Sequence, residues 1–287
     1  MYKLLTDSAA DLPWSYYAEH DVPFLPLFVT MDGENYPDDG TVSAKSFFDK
    51  LSAGSIATTS QITLGRFLAF FEPFLKEGYD ILYTGLCAGL SNTFQSACMA
   101  RDELQPLYPD RKIMVLDSTC ASLGLGLLVD LLRELRDSGA SLDDLVAYAE
   151  QHKLNINQRF TVEDLMFLHR GGRVSRTSAV VGSLLGIKPM LHVSPAGKLL
   201  NHGKTRGRKQ SLLQLVADAV AITTSKELAT VMISHGDCEE DAQFVMDEMK
   251  KIFKINKTLI HPLGATIGAH AGKGCVALFF EGKLRTE

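Results

Sequence analysis

Asp80-Ile-Leu-Tyr-Thr-Gly-Leu-Cys-Ala-Gly-Leu-Ser-Asn-Thr-Phe-Gln-Ser96 decides the fold, because within it an apolar run stops and a helical pattern starts. Ile81 to Gly85 has the length and apolar content of a buried strand, while Thr93 to Leu104 carries spaced apolar residues among good helix formers. A strand that feeds a helix through a short polar turn is the unit of a parallel α/β sheet. The turn itself, Ala88 to Ser96, is rich in hydroxyls, and Ser91 or Asn92 falls at the helix N-cap. Unpaired N–H groups and the positive end of the helix dipole meet there, which suits a carboxylate or a phosphate.

The same alternation extends outward from this unit. Strands are expected at Tyr2 to Leu5, Phe24 to Thr30 and Ile113 to Asp117. Helices are expected at Ser43 to Ala53, Leu64 to Glu77, Leu123 to Ser138 and Leu142 to Lys153. The dipeptide Asp-Ser recurs at two strand ends, Asp7-Ser8 and Asp117-Ser118, where it either faces a ligand or caps the next helix.

After about Ile156 the character changes. Arg159 to Val162 reads as a strand, and a short helix runs through Leu168. Further strands are expected at Pro189 to Val193, Lys198 to Asn201, Thr230 to His235, Lys257 to Pro262 and Cys275 to Glu281. The helices between them are Ser178 to Leu185, Lys209 to Thr223 and Glu239 to Phe253. The expected architecture is therefore two domains. Residues 1–155 form an N-terminal parallel α/β sheet domain, and residues 156–287 form a C-terminal α+β domain with a largely antiparallel sheet.

With 287 residues, 46% of them hydrophobic, the chain can bury a sizeable core. A net charge of -5 argues against nucleic acid or an anionic membrane as the main partner. No stretch has the length of a membrane span, and the N-terminus lacks the pattern of a signal peptide. Five scattered cysteines without C-x-x-C spacing read as reduced thiols of a cytoplasmic protein, with neither a disulfide framework nor a metal site.

Four other segments carry candidate chemistry. Thr58-Thr-Ser-Gln61, ahead of the helix at Leu64, either clamps an anion or caps that helix. Thr266-Ile-Gly-Ala-His-Ala-Gly-Lys-Gly274 sets His270 among small residues, as a structural imidazole, a hydrogen-bond donor or a base. Arg170-Gly-Gly-Arg173 with Arg176, and Lys204-Thr-Arg-Gly-Arg-Lys209, concentrate positive charge, either to recognise phosphates or an acidic partner or as solvated faces. No P-loop, no G-x-G-x-x-G after the first strand and no H-E-x-x-H is present. Gly89-Leu-Ser-Asn-Thr93 approaches a nucleophile elbow but lacks its second glycine, which keeps a serine acyl hydrolase using Ser91 and His270 as the enzymatic alternative.

These pieces together resemble the DegV family of bacterial fatty-acid-binding proteins. The match includes Thr6-Asp-Ser-Ala-Ala-Asp-Leu-Pro13, Thr58 to Gln61, Gly89 to Ala97, Asp117-Ser118, Leu168-His-Arg-Gly-Gly-Arg-Val-Ser175, Gly186-Ile-Lys-Pro189, Arg206 to Lys209 and Ile267 to Gly272. The resemblance implies a cytoplasmic, lipid-binding subunit that holds one long-chain fatty acid between its domains. It implies no catalytic residue, cofactor or metal of its own. The subunit would present the carboxylate to an ATP-dependent fatty acid kinase, its partner, for acyl-phosphate formation and phospholipid synthesis. A lipid-responsive regulatory protein would use the same pocket. By motif match Thr59, Ser91 and His270 bind the carboxyl group, with Thr58, Ser60, Asn92 and Thr93 in support, and Arg170, Arg173 and Arg206 are candidates for docking the kinase. The chain departs from the family pattern at Cys87, Ala88, Asn92 and Lys273. The first two remove hydroxyls near the head group, and Lys273 either adds charge there or points to solvent.

Overall fold

The structure, a computed structural model, describes residues 1–175 and 186–286; the helix expected at Ser178 to Leu185 lies outside the described residues, as does Arg176. The first half is built on a four-stranded sheet. Its strands are β1 (Tyr2–Asp7), β2 (Phe24–Leu25), β6 (Asp80–Gly85) and β7 (Ile113–Asp117), in the order β2-β1-β6-β7. Every pairing in it is parallel. Buried residues run along both faces of β6, as in a strand covered on both sides, and Gly85 ends it where the hydroxyl turn begins. Helix α3 (Leu64–Lys76) and α4 (Thr93–Leu104) pack against one another beside this sheet.

The run Phe24 to Thr30, expected as one strand, is divided by Pro26 into β2 and β3 (Phe28–Met31). Proline has no N–H to give to a ladder, so the chain leaves the parallel sheet there and starts another. That second sheet is small and antiparallel, in the order β4-β3-β5, with β4 at Glu34–Pro37 and β5 at Ala57–Ser60. Thr58, Thr59 and Ser60 therefore belong to a strand rather than to a helix-capping turn.

The second half holds a six-stranded sheet in the order β10-β9-β8-β13-β11-β12. Its strands are β8 (Ile156–Thr161), β9 (Ile187–Val193), β10 (Leu199–Arg206), β11 (Glu227–His235), β12 (Lys254–Pro262) and β13 (Val276–Glu281). Only the β11–β12 pairing is parallel. The sheet has two unlike faces, as a period of two requires. Met190, Val276, Leu278 and Phe280 pack with the helices Arg208–Ile222 and Glu239–Ile252. Phe160, Leu191, Val193, Ala277 and Phe279 line a cavity on the other side.

Helix α5 (Leu123–Asp137) lies between the sheets and contacts β1, β8, β11 and β13. It is buried along its first ten residues, Leu123 to Leu132, except Leu131. Gly126 is required at its closest approach, because a Cβ there would sit 2.7 Å from the carbonyl oxygen of Ala10. One apolar cluster joins Leu4 and Leu82 of the parallel sheet to Leu191 and Phe279 of the other.

Candidate functional site

A cavity of about 860 Å³ opens between the two large sheets, within the roughly 300–1,000 Å³ typical of small-molecule sites. Its apolar stretch is lined by Phe160, Leu165, Leu168, Leu191, Val193 and Phe279, and its polar wall by Thr59, Ser60, Gln61, Ser91, Asn92 and His270. Of the residues singled out in the sequence, Thr58 and Thr93 stand outside this lining, while Thr59, Ser91 and His270 meet on it.

Thr59 comes from β5 and His270 from a seven-residue helix, Ala265–Ala271. The Thr59 hydroxyl lies 2.8 Å from His270 Nε2. Burial, with the nearby Arg173 charge, lowers the His270 pKa to about 4, so the ring is neutral at neutral pH. Gly171 makes room for this ring, since a Cβ at that position would overlap His270 Nδ1.

Ser91 stands just before α4. Its hydroxyl oxygen accepts the Thr93 N–H at 3.2 Å and lies 2.9 Å from the Thr93 hydroxyl. Thr93 Oγ1 in turn accepts the Ile62 N–H at 3.2 Å. Asn92 occupies the N-cap without a side-chain capping bond, and Ser91 supplies that function from one residue upstream. Thr93 thus braces the hydroxyl turn to the segment that follows β5.

The two Asp-Ser dipeptides hold the floor of the site. Buried Asp7 accepts the N–H groups of Ala9 at 3.0 Å and Leu86 at 2.8 Å and the Tyr83 hydroxyl at 2.8 Å, and burial raises its pKa to about 6. Asp117 caps no helix. Its carboxylate accepts Ala88 N–H at 3.2 Å and Thr119 N–H at 3.0 Å, fixing the start of the hydroxyl turn. Gly89 touches the β9–β10 turn so closely that a Cβ would lie 2.5 Å from the Ala196 carbonyl oxygen. Cys87, where the expected family pattern has serine, is buried and donates to the Gly197 carbonyl at 3.4 Å.

The three arginines separate. Arg173 lines the cavity, and its guanidinium donates to the Leu90 carbonyl through Nε at 3.1 Å and Nη2 at 2.8 Å, and to the Gly171 carbonyl through Nη1. Arg170 sits 4.8 Å above the Phe167 ring and lines a second cavity of about 240 Å³, which shares Thr59, His270 and Arg173 with the first. Arg206 ends β10, exposed, and lines neither cavity. Lys273 pairs with Asp237 at 2.7 Å, away from the polar wall. Sequence reasoning missed Arg173 as a cavity wall; its only local signal is the pair of glycines beside it, which give a sharp turn.

A serine hydrolase needs its base on the nucleophile. Here the His270 Nε2 contact is to Thr59, and the Ser91 hydroxyl contacts are to Thr93. The arrangement instead offers two hydroxyls to one side of a mostly apolar cavity. Among the described residues no group of three or more His, Cys, Asp or Glu could hold a metal ion, and no described helix is long and apolar enough to cross a membrane.

Comparison with known proteins agrees with this architecture. A DegV domain-containing protein of Clostridium perfringens is 39% identical over 286 residues, 99% of this chain and 98% of its own length. A DegV domain-containing protein of Lactococcus lactis is 34% identical, over 97% of this chain and 96% of its own. Among solved structures, a fatty-acid-binding DegV family protein of Thermus thermophilus superimposes with a TM-score of 0.88 at 30% identity, covering 98% of this chain and 99% of that one. A DegV lipid-binding protein of Thermotoga maritima gives a TM-score of 0.88 at 28% identity over the whole of both chains. The family model described as an uncharacterised protein of the DegV family matches residues 1–283, and the chain belongs to the DegV family.

Proposed function

We propose that this protein binds a long-chain fatty acid in the larger cavity and presents its carboxylate, held by Thr59, Ser91 and His270, to an ATP-dependent fatty acid kinase. The observation that carries the reading is how the two hydroxyls are backed. The 2.8 Å Thr59–His270 and 2.9 Å Ser91–Thr93 separations let His270 Nε2–H donate to Thr59 and the Thr93 hydroxyl donate to Ser91, so that the acceptor side of each is backed from behind and His270, its one ring N–H spent, acts on the carboxylate through Thr59. Both O–H protons are then free for an anion in the cavity. The lipid-binding and fatty-acid-binding DegV proteins of similar fold support the binding step of this reading.

The energetics agree. Burying about sixteen carbons at ~0.8 kcal/mol per methylene yields a gross gain of roughly 12 kcal/mol before association costs, so the tail supplies the affinity. The head group has only to avoid the cost of an unpaired buried carboxylate. Neutral hydroxyl donors achieve that while leaving the oxygens accessible, whereas a bidentate arginine would grip and cover them. Arg173 fits this logic, since its Nε and one N–H of each terminal nitrogen go to backbone carbonyls.

In this reading residues 1–155 and 156–287 are two domains with the lipid between them. It is supported by the cavity lining, which takes Thr59 and Ser91 from the first and Phe160, Leu191 and His270 from the second. The chain acts without catalysis of its own, in the cytoplasm, with Arg170 and Arg206 as docking contacts for the kinase and Arg173 inside the site.

Mass spectrometry of protein purified from a bacterial host tests the binding step. A co-purifying long-chain fatty acid is expected, and protein that stays empty after incubation with palmitate overturns the reading. Transfer of phosphate from ATP to the bound acid by a fatty acid kinase tests presentation, and a fluorophosphonate probe should leave Ser91 unlabelled.

A further inference from the structure

The helix that carries His270 is held from the opposite end by two buried carboxylates. Asp38 accepts the N–H groups of Ala265 at 3.1 Å and Thr266 at 2.9 Å, and Asp11 accepts that of Gly264 at 3.0 Å. Asp11 and Asp38 are 3% and 4% exposed, and neither forms an ion pair among the described residues. Both crowd one backbone atom: a Cβ on Gly264 would lie 2.7 Å from Asp11 Oδ1 and 3.1 Å from Asp38 Oδ2.

Asp11 is fixed in its turn. The Ser122 hydroxyl donates to Asp11 Oδ2 at 2.6 Å and lies 2.9 Å from the Ser234 hydroxyl. The Asp38 N–H donates to the Leu27 carbonyl at 2.9 Å, and Leu27 lines the larger cavity. Four parts of the chain thus converge on the start of one helix.

The helix needs this support. Seven residues make about two turns, far below the ~12–15 residues at which an isolated helix becomes even marginal in water. Its composition is Ala-Thr-Ile-Gly-Ala-His-Ala, with a glycine inside. His270 stands five residues beyond Ala265, so the rise along the helix carries any movement of the capped end about 7.5 Å to the imidazole.

We propose that Asp11 and Asp38 are positioning residues for the carboxylate site: by capping this helix they set the register of His270 against Thr59. The proposal rests on the reading of Thr59, Ser91 and His270 as the carboxylate site. Neither aspartate touches the ligand, and both act through the helix. In the motif Thr6-Asp-Ser-Ala-Ala-Asp-Leu-Pro13 this gives the second aspartate a function distinct from that of Asp7, which braces Leu86.

Asp38→Asn tests it, because the amide keeps one acceptor but turns a donor toward the other N–H. Palmitate and its methyl ester are titrated into wild type, D38N, His270→Ala and the double variant, and the His270 ring nitrogens are followed by NMR in the ligand-free protein. D38N is expected to weaken palmitate about fivefold to tenfold, the equivalent of one lost cap. The ester should change less than about twofold. The His270 resonances should move, and D38N should add nothing to H270A. Additive losses, or unmoved His270 resonances, overturn the proposal. If H270A binds palmitate as wild type does, the carboxylate reading fails instead, and the ligand-free His270 resonances still decide whether Asp38 sets the ring. Should D38N not fold, Ser122→Ala, which removes one donor from Asp11, carries the same measurements with a smaller expected loss, and unmoved His270 resonances there overturn the proposal as well.

Discussion

Thr59 Oγ1 and His270 Nε2 lie 2.8 Å apart across 211 positions of sequence, and this contact joins a strand of the small antiparallel sheet to a helix near the C-terminus. Thr59→Val keeps the shape and removes the hydroxyl. It leaves His270 Nε2 without its partner inside the protein, which costs about 1–3 kcal/mol. Affinity for palmitate should fall about tenfold or more in a fluorescence-displacement titration, while the methyl ester, which presents no anion, is affected less. Equal losses for acid and ester would mean that Thr59 serves packing alone.

Gly171→Ala examines the same contact from behind. Gly171 has φ −72°, so alanine is conformationally acceptable, and the only conflict is its Cβ with His270 Nδ1. The ring must move. The substitution should reproduce most of the binding loss of His270→Ala, with a stability change of about 1–3 kcal/mol from overpacking, read by denaturant titration.

How far the sequence alone reaches is seen by comparing this contact with the turn beside it. The strand-turn-helix from Asp80 to Leu104 is legible because its signals are local: an apolar run, a capping serine, helical spacing. Strand β5 is not, since three of its four residues are hydroxylic and no apolar alternation marks it. Its conformation comes from pairing with β3, about thirty residues upstream. The helix at Ala265–Ala271 is hidden for a stronger reason. Its caps, Asp38 and Asp11, lie 227 to 253 residues away, and a run of small residues flanked by glycines reads as a loop until they are in place. Thr59, Ser91 and His270 are nonetheless singled out by side-chain chemistry and family resemblance, which do not depend on the local backbone, and the structure brings all three to one cavity.

Buried Asp7 and half-buried His270 should give opposite pH dependences of stability in one window. His270 has a folded pKa of about 4 against an unfolded value near 6.5, so the unfolded chain binds more protons between these values. Its contribution is complete above pH 6.5 and is lost as the pH falls toward 4. Asp7 runs the other way, because its folded pKa of about 6 exceeds the ordinary carboxyl value of 3.8. The folded state then binds more protons, and stability from this group grows as the pH falls from about 6 to 4, by up to ~3 kcal/mol at 1.36 kcal/mol per unit. Comparing the pH profile of urea midpoints for His270→Gln and Asp7→Asn with wild type checks both signs. Loss of the His270 group should flatten an acid-side decline, and loss of the Asp7 group should steepen it.

Gly89→Ala addresses how the hydroxyl turn meets the second half of the chain. The added Cβ would face the Ala196 carbonyl oxygen at 2.5 Å and the Gly197 carbonyl oxygen at 2.6 Å, both backbone atoms with little freedom to yield. The β9–β10 turn must then withdraw from Cys87 and Gly89. Hydrogen exchange at Ser194 to Lys198 should accelerate, with weaker palmitate binding. Unchanged exchange there would show that the turn accommodates the methyl group.

Arg173 separates a docking role from a role inside the site. Two of its nitrogens hold the Leu90 carbonyl, the residue before Ser91, and a third holds Gly171, the residue that makes room for His270. One cation therefore fixes the backbone beside both halves of the proposed carboxylate site. Its charge also adds to burial, the larger cause, in lowering the His270 pKa. Arg173→Met preserves much of the stem but frees two carbonyls. The pKa of His270, followed by NMR, should rise above about 4 because one of its two depressing causes is gone. Palmitate affinity should fall as the Ser91 turn loosens, before any kinase is added. A residue used only for docking would leave both quantities where they are and alter phosphorylation alone, which is the outcome expected of Arg206→Glu, at an exposed strand end that lines neither cavity.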